Sequence, residues 1–149
     1  MHYCTLADLQ LAVPMNTLVQ LSNDVVTDYS AAAPELDQTV IDEAVRQAEE
    51  LVDAYLRGRY VLPLETVPTV VKDIAVNLAR HWLYARRPEG ADLPDAVTRT
   101  YKSSLSLLEA IRDGKITLGL PSGSATPEPG EIRVKAPRRR FGSDVWENY

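Results

Sequence analysis

The amino-acid sequence predicts a mainly α fold, a compact bundle of about three long and two short helices with a short β-hairpin or extended C-terminal arm. Apolar side chains recur at steps of three and four within residues 37–57, 68–87 and 92–113, the repeat of an amphipathic helix. Ten prolines outnumber seven glycines and a single phenylalanine, which suits helices cut by prolines better than a strand-rich sandwich. The 149 residues, 45% hydrophobic and 25% charged, have the proportions of one globular domain.

Each element has a local reason. Thr5 followed three residues later by Asp8 makes an N-cap with an acidic partner, opening a short helix through Leu6, Leu9 and Leu11. Pro14 interrupts it, and Asn16 is placed to cap a second short turn through Leu18, Val19 and Leu21. Residues 22–36 read as a loop, long for a compact domain and therefore mobile or committed to a partner. Asp37 caps the first long helix, whose stripe is Val40, Ile41, Ala44, Val45, Ala48, Leu51, Val52, Tyr55 and Leu56. Asp42 with Arg46, and Asp53 with Arg57, stand four apart as acid-before-base pairs worth roughly 0.2–0.5 kcal/mol each. Burying one Leu, Ile or Val contributes about 1.5–3 kcal/mol, so packing of the stripe decides the helix.

Gly58 and the run Tyr60-Val61-Leu62-Pro63-Leu64 end that helix in an extended segment. Pro68 suits the first position of the second long helix, which buries Val71, Ile74, Ala75, Leu78, Ala79, Trp82 and Leu83. Arg86 and Arg87 favour its C-terminal dipole and Pro88 stops it. Asp92 and Pro94 open the third, with Val97, Tyr101, Leu105, Leu108 and Ile111 on its face and Gly114 at C′. The core expected from these stripes is Val45, Ala48, Val52, Tyr55, Leu56, Ile74, Leu78, Trp82, Leu105 and Leu108. Residues 115–120 are short and β-branched, a candidate strand able to pair with the alternating residues 131–135.

The chain divides by composition. Residues 121–130 hold no apolar side chain larger than alanine or proline and read as a Pro/Ser/Gly linker between a helical domain, 1–120, and an arm, 131–149. The arm carries five basic and three acidic residues, a net +2, against −7 for residues 1–130. The whole-chain charge of −5 therefore describes neither part. Within the arm, Arg138, Arg139, Arg140, Phe141, Trp146 and Tyr149 are the candidate interface residues, of the types that dominate interface energetics. A nucleic-acid reading of the arginine run is weaker, because the attached acidic body opposes approach to phosphates.

The residue types of catalysis are sparse. There is no Gly-rich phosphate loop and no His-Glu-x-x-His, and His2, His81 and Cys4 are the sole imidazoles and thiol. His81 reads as a packed or surface histidine, Cys4 as a small buried side chain, and His2 with Cys4 supplies too few ligands for a tetrahedral metal. One cysteine excludes an intramolecular disulfide, and no apolar run of membrane-spanning length or basic, apolar secretory leader is present. The reading is a soluble chain without cofactor or metal, and not an enzyme.

Several stretches taken in order carry a resemblance. They are Tyr3-Cys4-Thr5-x-x-Asp8-Leu9, Ile41-Asp42-x-Ala44-Val45-x-x-Ala48 and Val52-Asp53-x-Tyr55-Leu56. Arg59-Tyr60-x-Leu62-Pro63-Leu64 with Val67-Pro68, Ala79-Arg80 and Leu83-Tyr84 follow. Tyr101, Leu105, Leu108-Glu109, Gly114-Lys115-Ile116-x-Leu118-Gly119 and Arg140-Phe141-x-x-Asp144 complete the set. The sequence thereby resembles the small head–tail connector, or head-completion, proteins of Mu-like phages and prophages over nearly its whole length. Residues 26–36 depart from that pattern.

The resemblance implies a helical adaptor, made in the bacterial cytoplasm, that forms a ring at the head–tail junction of the virion. Its expected partners are copies of itself, the portal protein, tail-completion or tail-terminator proteins, and DNA passing through the lumen without sequence specificity. No membrane is among them. A ring of this kind needs two different complementary patches per copy, and an Arg-bearing arm with an acidic body offers such a pair. A small nucleic-acid-binding accessory role for the arginine run is the alternative.

Overall fold

The computed structural model describes residues 3–24, 35–86 and 92–120. Five helices follow in order: α1 (Leu6–Ala12), α2 (Met15–Ser22), α3 (Gln38–Leu56), α4 (Thr69–Ala85) and α5 (Asp95–Arg112). They match the expected two short and three long helices, and no strand forms among the described residues. Residues 113–120 run in turns and bends rather than as a strand, because the helix ends in a tight reversal that bends the chain back. Residues 131–135, the expected partner, lie outside the described residues, as do the linker and arm at 121–149 and the loop at 25–34.

The three long helices form the body, with α3 on α4 the most extensive contact and α5 against both. Their directions alternate. At one end, the Ser22 hydroxyl at the close of α2 accepts the Asp37 N–H that opens α3, at 3.2 Å. Arg86, past the C-terminus of α4, reaches the same turn of α2. At the other end, Arg59, just past α3, meets the last turn of α5. Of the short helices, α1 packs on α4 and α2 on both α3 and α4, and the N-terminal segment is bonded to α3.

The caps are those the residues dictate. Thr5 and Asp8 form the reciprocal box, the Asp8 N–H donating to Thr5 Oγ1 while Asp8 accepts the Thr5 N–H. Asp37 accepts from the N–H groups of Thr39 and Val40. Proline stands at the N-cap of α2, α4 and α5 without a side-chain bond, its missing N–H leaving no orphan. Pro14 thus opens α2 and Asn16 falls inside it, one correction to the expected Asn16 cap. Pro68 likewise precedes the first helical residue of α4 rather than occupying it.

At the far end of α5, Gly114 takes φ +80°. Its N–H donates to the Ile111 carbonyl and that of Lys115 to the Ala110 carbonyl, the paired bonds of a Schellman ending.

The expected ion pairs along α3 are rearranged. Arg46 bonds Glu43 at 2.6 Å and also Glu50, rather than Asp42, because both glutamates share its exposed face one turn away. Asp42 takes the Gln38 amide instead, and Asp53 takes the Tyr3 hydroxyl rather than Arg57.

The core runs through all five helices. Val45, Ala48, Val52, Leu56, Ile74, Leu78 and Leu108 are buried in it. Tyr55, Trp82 and Leu105 are half-buried and pack on its margin, so the apolar stripe is narrower than the spacing predicts. For Tyr55 the reason is visible: its ring, at the edge of the stripe, lies under the Arg112 guanidinium, 5.7 Å away. Tyr3, Cys4, Leu9, Val13, Leu18 and Leu21 from the first quarter of the chain fill the space beside α3 and α4.

Candidate assembly surfaces

Two groups of side chains outside the apolar stripes fix the body's shape. The first is an N-terminal latch. Tyr3 donates its backbone N–H to Glu49 Oε1 at 2.8 Å and its hydroxyl to Asp53 Oδ1, both carboxylates on the same face of α3 one turn apart. Glu49 is buried, and the latch gives it a donor it needs there. Burial, then the bond to Asp53, raises the pKa of the Tyr3 hydroxyl well above the ordinary tyrosine value. Next to it, burial pushes the Cys4 thiol up to about 12, with the Glu49 and Asp8 carboxylates adding to the shift. The thiol is therefore protonated at neutral pH and inert as a nucleophile. Lys72 of α4 closes the group on Asp8 at 3.1 Å.

The second group is a pair of arginines, each serving a helix other than its own. Arg86 Nη1 donates to the Leu21 carbonyl at the C-terminus of α2 at 2.7 Å, while Nη2 holds Asp24. Arg59 Nη1 donates to the Ile111 carbonyl at the C-terminus of α5, also at 2.7 Å. Each places a cation on the negative end of a helix and satisfies a terminal carbonyl. Sequence reasoning assigned Arg86 to its own helix and gave Arg59 no role, because a cap supplied across the fold leaves no local spacing to read.

Two further contacts join partly exposed rings to their neighbours. His81 of α4 stacks on Tyr101 of α5, ring centroids 3.8 Å apart and planes 15° from parallel, and burial lowers its pKa. The Arg80 guanidinium lies 6.0 Å from the Tyr84 ring. His81 is thus a packing histidine between two helices. Among the described residues no group of three or more His, Cys, Asp or Glu side chains could hold a metal ion. No helix among them is long and apolar enough to cross a membrane.

Among the described residues, five large apolar side chains are open to solvent. At the corner between α1 and α2, Leu11 is 90% exposed and Met15, four residues on, is also exposed. At the end of the bundle where α3 stops, α4 starts and α5 stops, Val61 is 66% exposed and Val70 and Ile116 are also exposed. The interface residues expected from the sequence, Arg138, Arg139, Arg140, Phe141, Trp146 and Tyr149, lie outside the described residues.

A family model described as Bacteriophage Mu, Gp36 matches residues 3–136, from the Tyr3 latch through all five helices. The chain belongs to that family. It is 31% identical over 135 residues to Gene product J of Escherichia phage Mu, covering 91% of this chain and 89% of the phage protein. It is 36% identical over 96 residues to the Mu-like prophage FluMu protein gp36 of Haemophilus influenzae. That match takes in 64% of each chain, so it spans a little under two thirds of the prophage protein. The Mu Gp36 match stops at residue 136, before the arginine run begins.

Proposed function

We propose that this Mu Gp36 family member is a structural head–tail connector subunit, without enzymatic activity, that forms a ring beneath the portal and keeps the DNA channel continuous. The observation that carries the reading is family membership over residues 3–136, which takes in the whole described body. The resemblance of its ordered motifs to head–tail connectors supplies the role. A body of capped, mutually tied helices suits a part that must keep its shape while contacting several neighbours.

The ring requires a head-to-tail contact in which one patch meets a different patch on the next copy. Closure multiplies weak contacts through effective concentration, so a single contact need not hold two free subunits together. The acidic body facing the channel would repel DNA and let it slide. The arm, with Arg138–Arg140 and Phe141, would supply one half of the subunit contact by reaching a neighbouring copy.

The test is a prophage carrying a nonsense mutation in this gene. It should yield DNA-filled heads and separate tails, joined again when the full chain is supplied in trans. Tailed, infectious particles from the mutant would end the connector reading. A salt-dependent shift of duplex DNA by the purified chain, lost on Arg→Ala exchange at 138, 139 and 140, would move the arm to the nucleic-acid alternative.

A further inference from the structure

The open face of α4 carries a cation without an acceptor among the described residues. Asp73, Asn77, Arg80 and Tyr84 follow at steps of four, three and four, which brings them to one side of the helix. Asp73 is exposed and the other three are half-buried, whereas the sides through Ile74, Ala75, Val76 and Ala79 are buried. Arg80 Nε is shut off from water and has no hydrogen-bond partner. What the guanidinium does touch is the Tyr84 ring, 6.0 Å away.

Buried polar groups ordinarily find partners, and a guanidinium offers five donors in a fixed fork. Arg59 also has a buried, unbonded Nε, but its Nη1 caps the Ile111 carbonyl. Arg86 bonds through both Nη atoms, to Leu21 and Asp24. Arg80 makes no such bond or ion pair with any described residue. The group that matches its fork is a carboxylate, whose two oxygens take two N–H donors at once. Because the charge is already half out of water, an ion pair here is stronger than one between fully exposed side chains.

The chain itself has carboxylates to offer. Residues 1–130 carry a net −7, and Glu35, Glu65, Asp73, Asp92 and Asp95 are exposed with no ion pair to any described residue. Asp73 shares the face of Arg80 but stands two turns away, about 10 Å along the axis, and forms no bond with it. A second copy therefore approaches Arg80 with acid in excess. The phosphates of a nucleic acid meet that same acid as repulsion.

We propose that Arg80, backed by Tyr84, receives a carboxylate of a second copy of this chain on the open face of α4. The contact supplies one half of the head-to-tail join that a ring requires, and for that setting it rests on the connector reading. The pairing itself is measured on the purified chain, so its failure leaves the connector reading to the particle experiment.

Nuclear magnetic resonance of the full chain, with its arginine side chains labelled with nitrogen-15, tests it. Between about 20 µM and about 1 mM the Arg80 side-chain N–H signals should move progressively, and added salt at fixed protein concentration should move them back. Arg80→Gln removes the charge, and Arg80→Lys keeps charge and stem but loses the fork. Each should weaken self-association at least about tenfold by sedimentation equilibrium, with helix content unchanged. Arg80 signals that do not move with protein concentration would overturn the proposal, and so would Arg80→Lys associating as the parent chain does. Signals moved by a short DNA duplex and not by more protein would overturn it too, and would assign the fork to phosphate.

Discussion

At single residues the sharpest constraint is Gly114. Its φ of +80° lies where a side chain is strained, and a Cβ there would stand 3.0 Å from Arg59 Nη1. Gly114→Ala should therefore lower unfolding free energy by about 1–2 kcal/mol in a denaturant titration. Gly58→Ala, where a Cβ would meet nothing within 4 Å, should change it little. A second constraint is the buried latch. Cys4, raised from 9.0 to about 12, and Tyr3, raised from 10.0, keep in the folded state protons that the unfolded chain releases. The folded state then binds more protons than the unfolded one above about pH 9, so stability falls as pH rises from there. Denaturant midpoints measured from neutral to alkaline pH should show that decline, with a shallower slope for Cys4→Ala. A flat profile would mean that neither group is buried as described. The sequence revealed Cys4 as a small buried side chain, since a lone cysteine beside a helix start is commonly that. It could not reveal the carboxylates facing Tyr3, which come from residues 46 and 50 positions away.

At the level of elements, most capping and amphipathic spacing was readable, the Asn16 cap apart, and what is tertiary was not. The Thr5–Asp8 box, the Asp37 cap, the Gly114 ending and the three amphipathic stripes are written in spacings of one to four residues, and all stand where those spacings put them. The pairs Asp42–Arg46 and Asp53–Arg57 failed as readings because weak surface partners are chosen by whichever opposite charge lies nearest. Glu43 and Glu50 lie nearer to Arg46, and Tyr3 arrives from outside the helix to take Asp53. The arginine caps are the clearest case of structure invisible to local pattern. Arg59→Met keeps the length of the side chain and removes the bond to the Ile111 carbonyl. It should cost about 1.5–3 kcal/mol, the range for a hydrogen bond from a charged donor, and speed amide exchange in the last turn of α5 specifically. Thr5→Ala should cost less, about 0.5–2 kcal/mol, and act on α1. Equal loosening of every helix by Arg59→Met would contradict its placement as the cap of α5.

For the whole molecule, the division of charge into −7 and +2 first pointed to a body with an arm. The fold supplies the body: three long helices in alternating directions, braced by two short ones and by an N-terminal latch. The family match takes in that body and runs on to residue 136, just before the arginine run. Removal of residues 137–149 should accordingly leave the folding transition unchanged and weaken incorporation into particles. Incorporation at the full level would take the arginine run out of the subunit contact. Any role in assembly would then fall to residues 1–136, in which Leu11, Met15 and Val61 are exposed apolar side chains among the described residues.

The connector account stands or falls on where the chain sits in a finished particle. An electron-microscopy map of the neck of particles carrying this chain, at side-chain resolution, measures that directly. The account predicts a closed ring of copies, each built of the five-helix body, lying between the portal and the first tail ring with the channel open through its centre. A neck complete from portal to tail with no density that fits this body would contradict it.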